Sequence, residues 1–287
     1  MKTKFSPKSN DNTLFVTNQC NNKCLMCVQP PTNTCDIDFH FERNKLIIDS
    51  SPIDIETIGI TGGEPTLMKD KLYLLIQYIR NKYPTCLIHI LSNGRAYSQR
   101  EEAKKLSNFT NTLIGIPLHS DNYIDHDLIA NTKDAYNETL KGLYNLGYYG
   151  IDIELRIVIN KLNFDRLSKI SNFIWRNLPF VKHVAFIGME DIGYTIKNHD
   201  KVWIDPYEYK NNLTEAVLSL SSWNIDTSIF NIPHCLLHPQ VHEYARKSIS
   251  DWKIMFQTEC NECMVMTDCC GLFSTSKQQS PYIKKIQ

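Results

Sequence analysis

Between Leu14 and about Met189, short apolar runs alternate with longer stretches whose apolar residues recur at helical spacing. That alternation is the signature of a parallel α/β sheet or barrel. It predicts six strands, over about residues 13–17, 56–60, 87–91, 112–118, 151–159 and 182–188, with helices between them. Leu72, Leu75, Ile76 and Ile79 give the helix after the second strand one apolar face. Ser98 with Glu101, and Asp205 with Pro206 and Glu208, have the form of capped helix starts. The fifth strand differs from its neighbours. Ile151, Ile153, Leu155, Ile157 and Ile159 share one face, while Asp152, Glu154, Arg156 and Val158 lie on the other. A parallel strand covered on both faces is usually apolar throughout, so this one either turns a charged face into an open cavity or lies at a sheet edge. After about residue 223 the pattern gives way to irregular, cysteine-bearing chain. The predicted division is a core over 1–222 and a small, metal-organised extension over 223–287.

Size and charge narrow the classes. A chain of 287 residues buries roughly three quarters of the surface it exposes when unfolded, which suits one large domain with an appendage. Lys plus Arg and Asp plus Glu balance at 31 each, which gives no broad positive field for sequence-independent nucleic-acid binding. The opening residues, Met1-Lys2-Thr3-Lys4-Phe5-Ser6, form no signal core, and no apolar run approaches the length a bilayer requires. A cytoplasmic location is expected. In that reducing compartment ten cysteines are better read as metal ligands than as disulfides. Three lie at positions 20–27 and five at 235–270, with Cys35 and Cys86 apart.

The first group is Cys20-x3-Cys24-x2-Cys27, directly after the first strand. Three thiolates on a short loop can hold three irons of a 4Fe-4S cluster and leave the fourth open. A zinc site is the alternative, and would need a fourth ligand from Cys35 or His40. The second strand ends in Gly62-Gly63-Glu64-Pro65, where paired glycines allow close approach to the backbone and the glutamate can accept from an amine. The third strand ends in Ser92-Asn93-Gly94, suited to hydroxyl recognition or simply to a turn. Near the C-terminus stand Cys235 and then Cys260-x2-Cys263-x5-Cys269 with Cys270 adjacent. Four such thiolates make a closed site that either zinc or an iron-sulfur cluster would accept.

Taken in order, the C-x3-C-x2-C loop, the Gly-Gly-Glu-Pro and the Ser-Asn-Gly resemble the radical S-adenosylmethionine (SAM) superfamily over about residues 12–190. The resemblance implies an α/β fold, a partial (β/α)6 barrel of the TIM type, with the active site at the C-terminal ends of the strands. It implies that Cys20, Cys24 and Cys27 hold the SAM-binding 4Fe-4S cluster and that Gly62, Gly63 and Glu64 hold the SAM amino group. Ser92, Asn93 and Ser120 would lie near the ribose and Arg156 near the carboxylate. A 5′-deoxyadenosyl radical formed by reductive cleavage of SAM would then take a hydrogen atom from a substrate carbon. On such a core the C-terminal cysteines imply one auxiliary 4Fe-4S cluster on Cys235, Cys260, Cys263 and Cys269, with Cys270 as a substitute ligand.

A closer likeness lies in Val28-Gln29-Pro30-Pro31, Pro117-Leu118-His119-Ser120-Asp121 and the stretch Ala245 to Lys253. These resemble the shorter radical SAM maturase of His-Xaa-Ser peptide systems, although Cys270-Gly271-Leu272-Phe273 departs from the Gly-Gly-Phe-Phe usual there. That resemblance implies a ribosomally made precursor peptide as substrate, cross-linked or otherwise altered at a C–H bond. It also implies a reductant such as flavodoxin or ferredoxin, and a second radical SAM maturase as companion. His126, Asp127 and Glu154 are the candidates for proton work, with capping or structural hydrogen bonding as their plainer role. Two other functions stay open. One is a radical SAM enzyme acting on a nucleic acid or small molecule, and the other a non-catalytic, zinc-stabilised binding protein.

Overall fold

A computed structural model of the chain describes residues 4–9 and 12–287. Met1, Lys2 and Thr3, part of the opening read above for a targeting signal, lie outside them. The chain divides into two compact units, Met1–Lys23 with Gln29–Pro117 and Ala135–Glu154, and Cys24–Val28 with Leu118–Asp134 and Leu155–Gln287.

In the first unit β1 (Thr13–Phe15), β2 (Thr57–Thr61), β3 (Leu87–Leu91) and β4 (Thr112–Pro117) pair in parallel. Leu14 stands opposite Ile60, Ile60 opposite Ile90 and Ile90 opposite Ile114, and all four side chains are fully buried. Each contributes about 1.5–3 kcal/mol of apolar burial. A slip of one residue would turn the row to the other face, so the row fixes the register. The helices are α1 (Ile37–Ser50), α2 (Asp70–Lys82), α3 (Arg100–Leu106) and α5 (Ala135–Tyr148). As the spacing predicts, α2 buries Leu72, Leu75, Ile76 and Ile79.

The second unit holds α4 (Tyr123–Ala130), α6 (Leu167–Asn177), β6 (His183–Ile187), α7 (Tyr194–Val202), α8 (Pro206–Ser222), β7 (Asp226–Phe230) and β8 (Ala245–Arg246). A separate antiparallel pair, β9 (Ile254–Met255) and β10 (Leu272–Phe273), lies in the cysteine-rich segment. β5 (Asp152–Val158) begins in the first unit and ends in the second. All six expected strands are present, and the sheet order runs β1 to β8 in chain order. β5 is therefore an internal strand, which excludes the edge reading. Its apolar face, Ile151 to Ile159, is buried throughout.

Two sequence expectations are corrected. The chain after residue 223 is not irregular at its start, because β7 pairs in parallel with β6 and β8 with β7. β7 escapes an apolar-pattern reading because its buried centre includes Thr227 and Ser228. Their hydroxyls are satisfied by the Ile225 carbonyl and by His183 Nε2, both at 3.0 Å. Ser98 does not cap α3. Gly94, at φ 80°, turns the chain into a 3-10 turn over 95–98 that absorbs Ser98, and the helix starts after Gln99 with no side-chain cap. Asp205 does cap α8, accepting from the Tyr207 N–H at 2.8 Å with Pro206 in the first turn. Among the described residues no helix is long and apolar enough to cross a membrane.

Candidate functional site

In the first unit the chain that enters the thiol loop is held by β2. The Gly63 N–H donates to the Thr17 carbonyl at 2.6 Å and the Glu64 N–H to the Gln19 carbonyl at 2.7 Å. A Cβ on Gly62 would lie 2.6 Å from the Thr17 oxygen, and one on Gly63 would lie 2.1 Å from the Gln19 oxygen. The close approach that these glycines permit is thus made by the chain itself. Asp36 holds the same segment from the other side, accepting from Thr17 Oγ1 at 2.7 Å and from the Asn18 N–H at 2.9 Å. Burial pushes its pKa up, but these bonds and His40 outweigh it and hold the carboxyl below the usual range.

Glu64, 1 % exposed, is occupied internally. Its Oε1 accepts from Thr66 Oγ1 and Ser92 Oγ, both at 2.7 Å, and from the Thr66 N–H at 3.0 Å. Its Oε2 accepts from the Asn93 N–H at 2.7 Å. Asn93 Nδ2 reaches Asn21 Oδ1 at 2.6 Å, so the end of β3 touches the residue after Cys20. Arg95, unread in the sequence, completes this bracing. Its Nη1 donates to the Asn21 carbonyl at 2.8 Å and to Asn22 Oδ1 at 2.7 Å, and its Nε to Glu138 of α5 at 2.6 Å. Gly142 lets α5 approach, since a Cβ there would stand 2.2 Å from the Gly94 oxygen. Cys20 Sγ accepts from the Asn22 N–H at 3.4 Å. Glu154, buried on β5, has an oxygen 3.6 Å from His89 Nε2.

In the second unit Cys24 and Cys27 line a cleft of about 330 Å³ together with Arg156, His119, Met189 and Glu190. The loop between these cysteines is pinned by its main chain. The Leu25 N–H donates to the Ile129 carbonyl, the Leu25 carbonyl accepts from Asn198, and the Cys27 carbonyl accepts from the Tyr194 N–H at 2.8 Å. Gly193, at φ 64°, permits the last contact, because a Cβ there would lie 2.4 Å from the Cys27 oxygen. Met26 closes the loop from below against Ile129 and Val202.

His119 reaches Cys24 Sγ with Nε2 at 3.9 Å. Burial, and the neighbouring His126, hold its imidazole well below the ordinary histidine range. Burial holds His126 down at about 4, and its Nδ1 accepts from the His119 N–H at 3.3 Å. Asp127 accepts from the Asp134 N–H at 2.7 Å, so both members of the His126-Asp127 pair serve the main chain. Ser120 is fully buried and donates to Asp121, which in turn takes a two-pronged ion pair from Arg166 at 2.8 Å. The cleft is tied to the C-terminal segment through Glu190, whose Oε2 accepts from Lys253 Nζ at 2.8 Å and whose Oε1 accepts from Thr275 Oγ1.

Cys235, Cys260, Cys263 and Cys269 line one further cavity with His234. Cys270 instead packs with Ile249 and Phe273. The Cys270 thiol, His234 and the Gly271 N–H donate toward the Cys269 sulfur and hold its thiol down at about 4 against the opposing push of burial. Burial raises the thiols of Cys235 and Cys260, and their neighbouring thiols add to the rise. The Ile286 N–H donates to Cys263 Sγ at 3.4 Å. Thiols whose ionisation is opposed by burial and by one another, with N–H donors at Cys263 and Cys269, are groups whose thiolate form a bound cation would favour. Among the described residues no three or more His, Cys, Asp or Glu side chains stand close enough together to hold a metal ion as they are. No disulfide joins any of the ten cysteines.

A parallel α/β sheet with a three-thiol loop after its first strand and a braced Gly-Gly-Glu after its second defines a class of cluster-bearing enzymes. The family model for the radical SAM superfamily matches residues 14–174, more than half of the chain. The chain belongs to that superfamily, whose members are enzymes that use a 4Fe-4S cluster and SAM. It is 33 % identical over 164 residues to the Fe-coproporphyrin III synthase of Methanosarcina barkeri, covering 55 % of this chain and 39 % of the synthase. It is 27 % identical over 223 residues to the GTP 3′,8-cyclase of Nautilia profundicola, covering 74 % of this chain and 67 % of the cyclase. Among solved structures it is similar in fold to SuiB of Streptococcus suis bound to the precursor peptide SuiA. That match has a TM-score of 0.59 and 12 % identity, over 81 % of this chain and half of SuiB.

Proposed function

We propose that the protein is a peptide maturase within the superfamily, acting on a ribosomally made precursor at a C–H bond. Supplied together, the cluster and SAM provide a 5′-deoxyadenosyl radical that takes a hydrogen atom from the substrate. The chain's own part is to hold and orient. Cys20, Cys24 and Cys27 would hold the cluster. Arg156, which lines the same cleft as Cys24 and Cys27, would receive the SAM carboxylate. Gly62, Gly63, Glu64, Ser92 and Asn93 form a braced bed for the rest of SAM, reached through main-chain groups because the Glu64, Ser92 and Asn93 side chains already have partners. Ser120 acts through Asp121 and Asn122.

The observation that supports the reading is that Cys235, Cys260, Cys263 and Cys269 line one cavity, and they are the set that would hold an auxiliary 4Fe-4S cluster. The motif likeness to His-Xaa-Ser maturases and the fold shared with a precursor-bound enzyme support the peptide substrate. A flavodoxin or ferredoxin would deliver the electron, and a second maturase would act on the same precursor. The test is anaerobic incubation of reconstituted protein with SAM, reductant and the small peptide encoded beside the gene, followed by mass spectrometry. A changed peptide mass with release of 5′-deoxyadenosine supports the proposal, whereas release with the mass unchanged overturns it and directs the search to small molecules of the GTP type. Iron and sulfide content separates an auxiliary cluster from structural zinc.

A further inference from the structure

We infer that His119 is a hydrogen-bond donor to the sulfur of Cys24 and thereby sets how readily the SAM-cleaving cluster is reduced. The inference rests on the ligand role proposed for Cys24. Its geometric basis is a buried ring on an anchored stretch of main chain. The His119 N–H is bound to His126 Nδ1 at 3.3 Å and its carbonyl accepts from Asn163 Nδ2 at 3.0 Å. The side chain is buried with the residue at 3 % exposure, and the His126 ring stands 5.0 Å away, centre to centre.

A buried imidazole carries one ring proton, and the surroundings choose which nitrogen holds it. His119 Nδ1 is buried with no hydrogen-bond partner, while Nε2 faces Cys24 Sγ at 3.9 Å. A thiolate sulfur only accepts. Ligation by Cys24 therefore selects the tautomer with the proton on Nε2, and the N–H dipole points at the sulfur. Hydrogen bonds to cluster sulfurs are a recognised lever on potential. The sign follows from charge, since a donor stabilises the more negative, reduced form and makes the cluster easier to reduce. The step is one electron in, with no proton moved.

An independent observation repeats the arrangement at the second thiol set. His234 is buried, its Nδ1 has no hydrogen-bond partner, its ring lies 4.9 Å from that of His242, and it lines the same cavity as Cys269. Two unrelated stretches of chain thus set a buried histidine, with a second histidine ring against it, near a thiol that would ligate metal. At His119, packing alone does not call for a polar ring with one nitrogen on sulfur and the other orphaned.

The test compares wild-type, His119→Leu and His119→Gln proteins after reconstitution, by redox titration followed in visible absorbance and electron paramagnetic resonance. His119→Leu removes the donor and is expected to lower the reduced-to-oxidised ratio at least threefold at the wild-type midpoint, about 28 mV at 59 mV per tenfold. His119→Gln keeps an N–H and should stay near wild type. An unchanged midpoint in His119→Leu at wild-type iron and sulfide content overturns the inference. A wild-type protein that takes up no iron or sulfide overturns the function proposed above instead, so the two failures are distinct. If His119→Leu fails to hold its cluster, wild-type protein labelled with 15N-histidine provides the second measurement. A weak 15N coupling to the reduced cluster that disappears in His119→Gln is expected, and a spectrum identical in the two proteins overturns the inference.

Discussion

The Gly63 N–H donates to the Thr17 carbonyl across 2.6 Å, so the glycine pair after β2 and the strand that leads into the thiol loop form one backbone ladder. The Gly62-Gly63 pair is thus the support for the segment that leads to Cys20, and its substitution has a structural price.

Gly63→Ala would put a methyl group 2.1 Å from the Gln19 oxygen, a contact that only backbone movement relieves. Stability should fall by about 1–3 kcal/mol, and iron uptake on reconstitution should fall with it. Gly150, at φ 70° with nothing within 4 Å of a built Cβ, is the control. Gly150→Ala should lower stability by about 1 kcal/mol through backbone strain alone and leave iron content unchanged. Thermal melts and colorimetric iron assays read both.

Arg95→Ala removes the bridge from Glu138 to Asn21 and Asn22. A loss of about 2–3 kcal/mol is expected, with a matching loss of iron retention. Arg95→Lys should restore little, because one ammonium cannot reproduce a planar fork that meets three acceptors. Equal iron retention in all three proteins would refute the bracing role.

His126 supplies a pH dependence whose sign is fixed. Its folded pKa, about 4, lies below the ordinary value of 6.5, so the unfolded chain binds the proton first as pH falls. Stability should therefore drop between about pH 6.5 and pH 4, by about 3 kcal/mol for a shift of this size. His119, also depressed, adds a loss of the same sign. Chemical denaturation of the metal-free protein across this range should show the slope, and His126→Asn should flatten it.

Lys253→Met leaves the Glu190 carboxylate, whose side chain is 8 % exposed, without its cation and should destabilise by about 3 kcal/mol. Glu190→Gln keeps the contact with Thr275 and should cost less. A double-mutant cycle in denaturant gives the coupling. Coupling near zero would mean that this ion pair does not hold the C-terminal segment, which its other contacts, such as Ser276 Oγ with the Asp191 N–H and Ser280 Oγ with Asp205, would then secure.

The strands up to Ile187 were legible because each alternates or runs apolar between turn residues, and the thiol loops because cysteine spacing is a local signal. The bracing was not. Arg95 stands in plain view after Ser-Asn-Gly, yet its partners Asn21, Asn22 and Glu138 are tens of residues away and unremarkable in type. Gly193 carries no sign that its open α-carbon faces the Cys27 carbonyl. β7 hid behind Thr227 and Ser228, whose polarity is cancelled by bonds that only the fold reveals. Ser98 misled because a turn begun by Gly94 took the place of the cap.

Because strand order and chain order coincide from β1 to β8, each strand from β2 onward leaves the ribosome with one of its pairing neighbours already made. The Cys27 carbonyl, however, waits for Tyr194, which is synthesised more than 160 residues later. During that interval the first thiols are present on a nascent chain without their closing contact. Metal supplied then meets an open loop, and metal supplied after release meets a latched one.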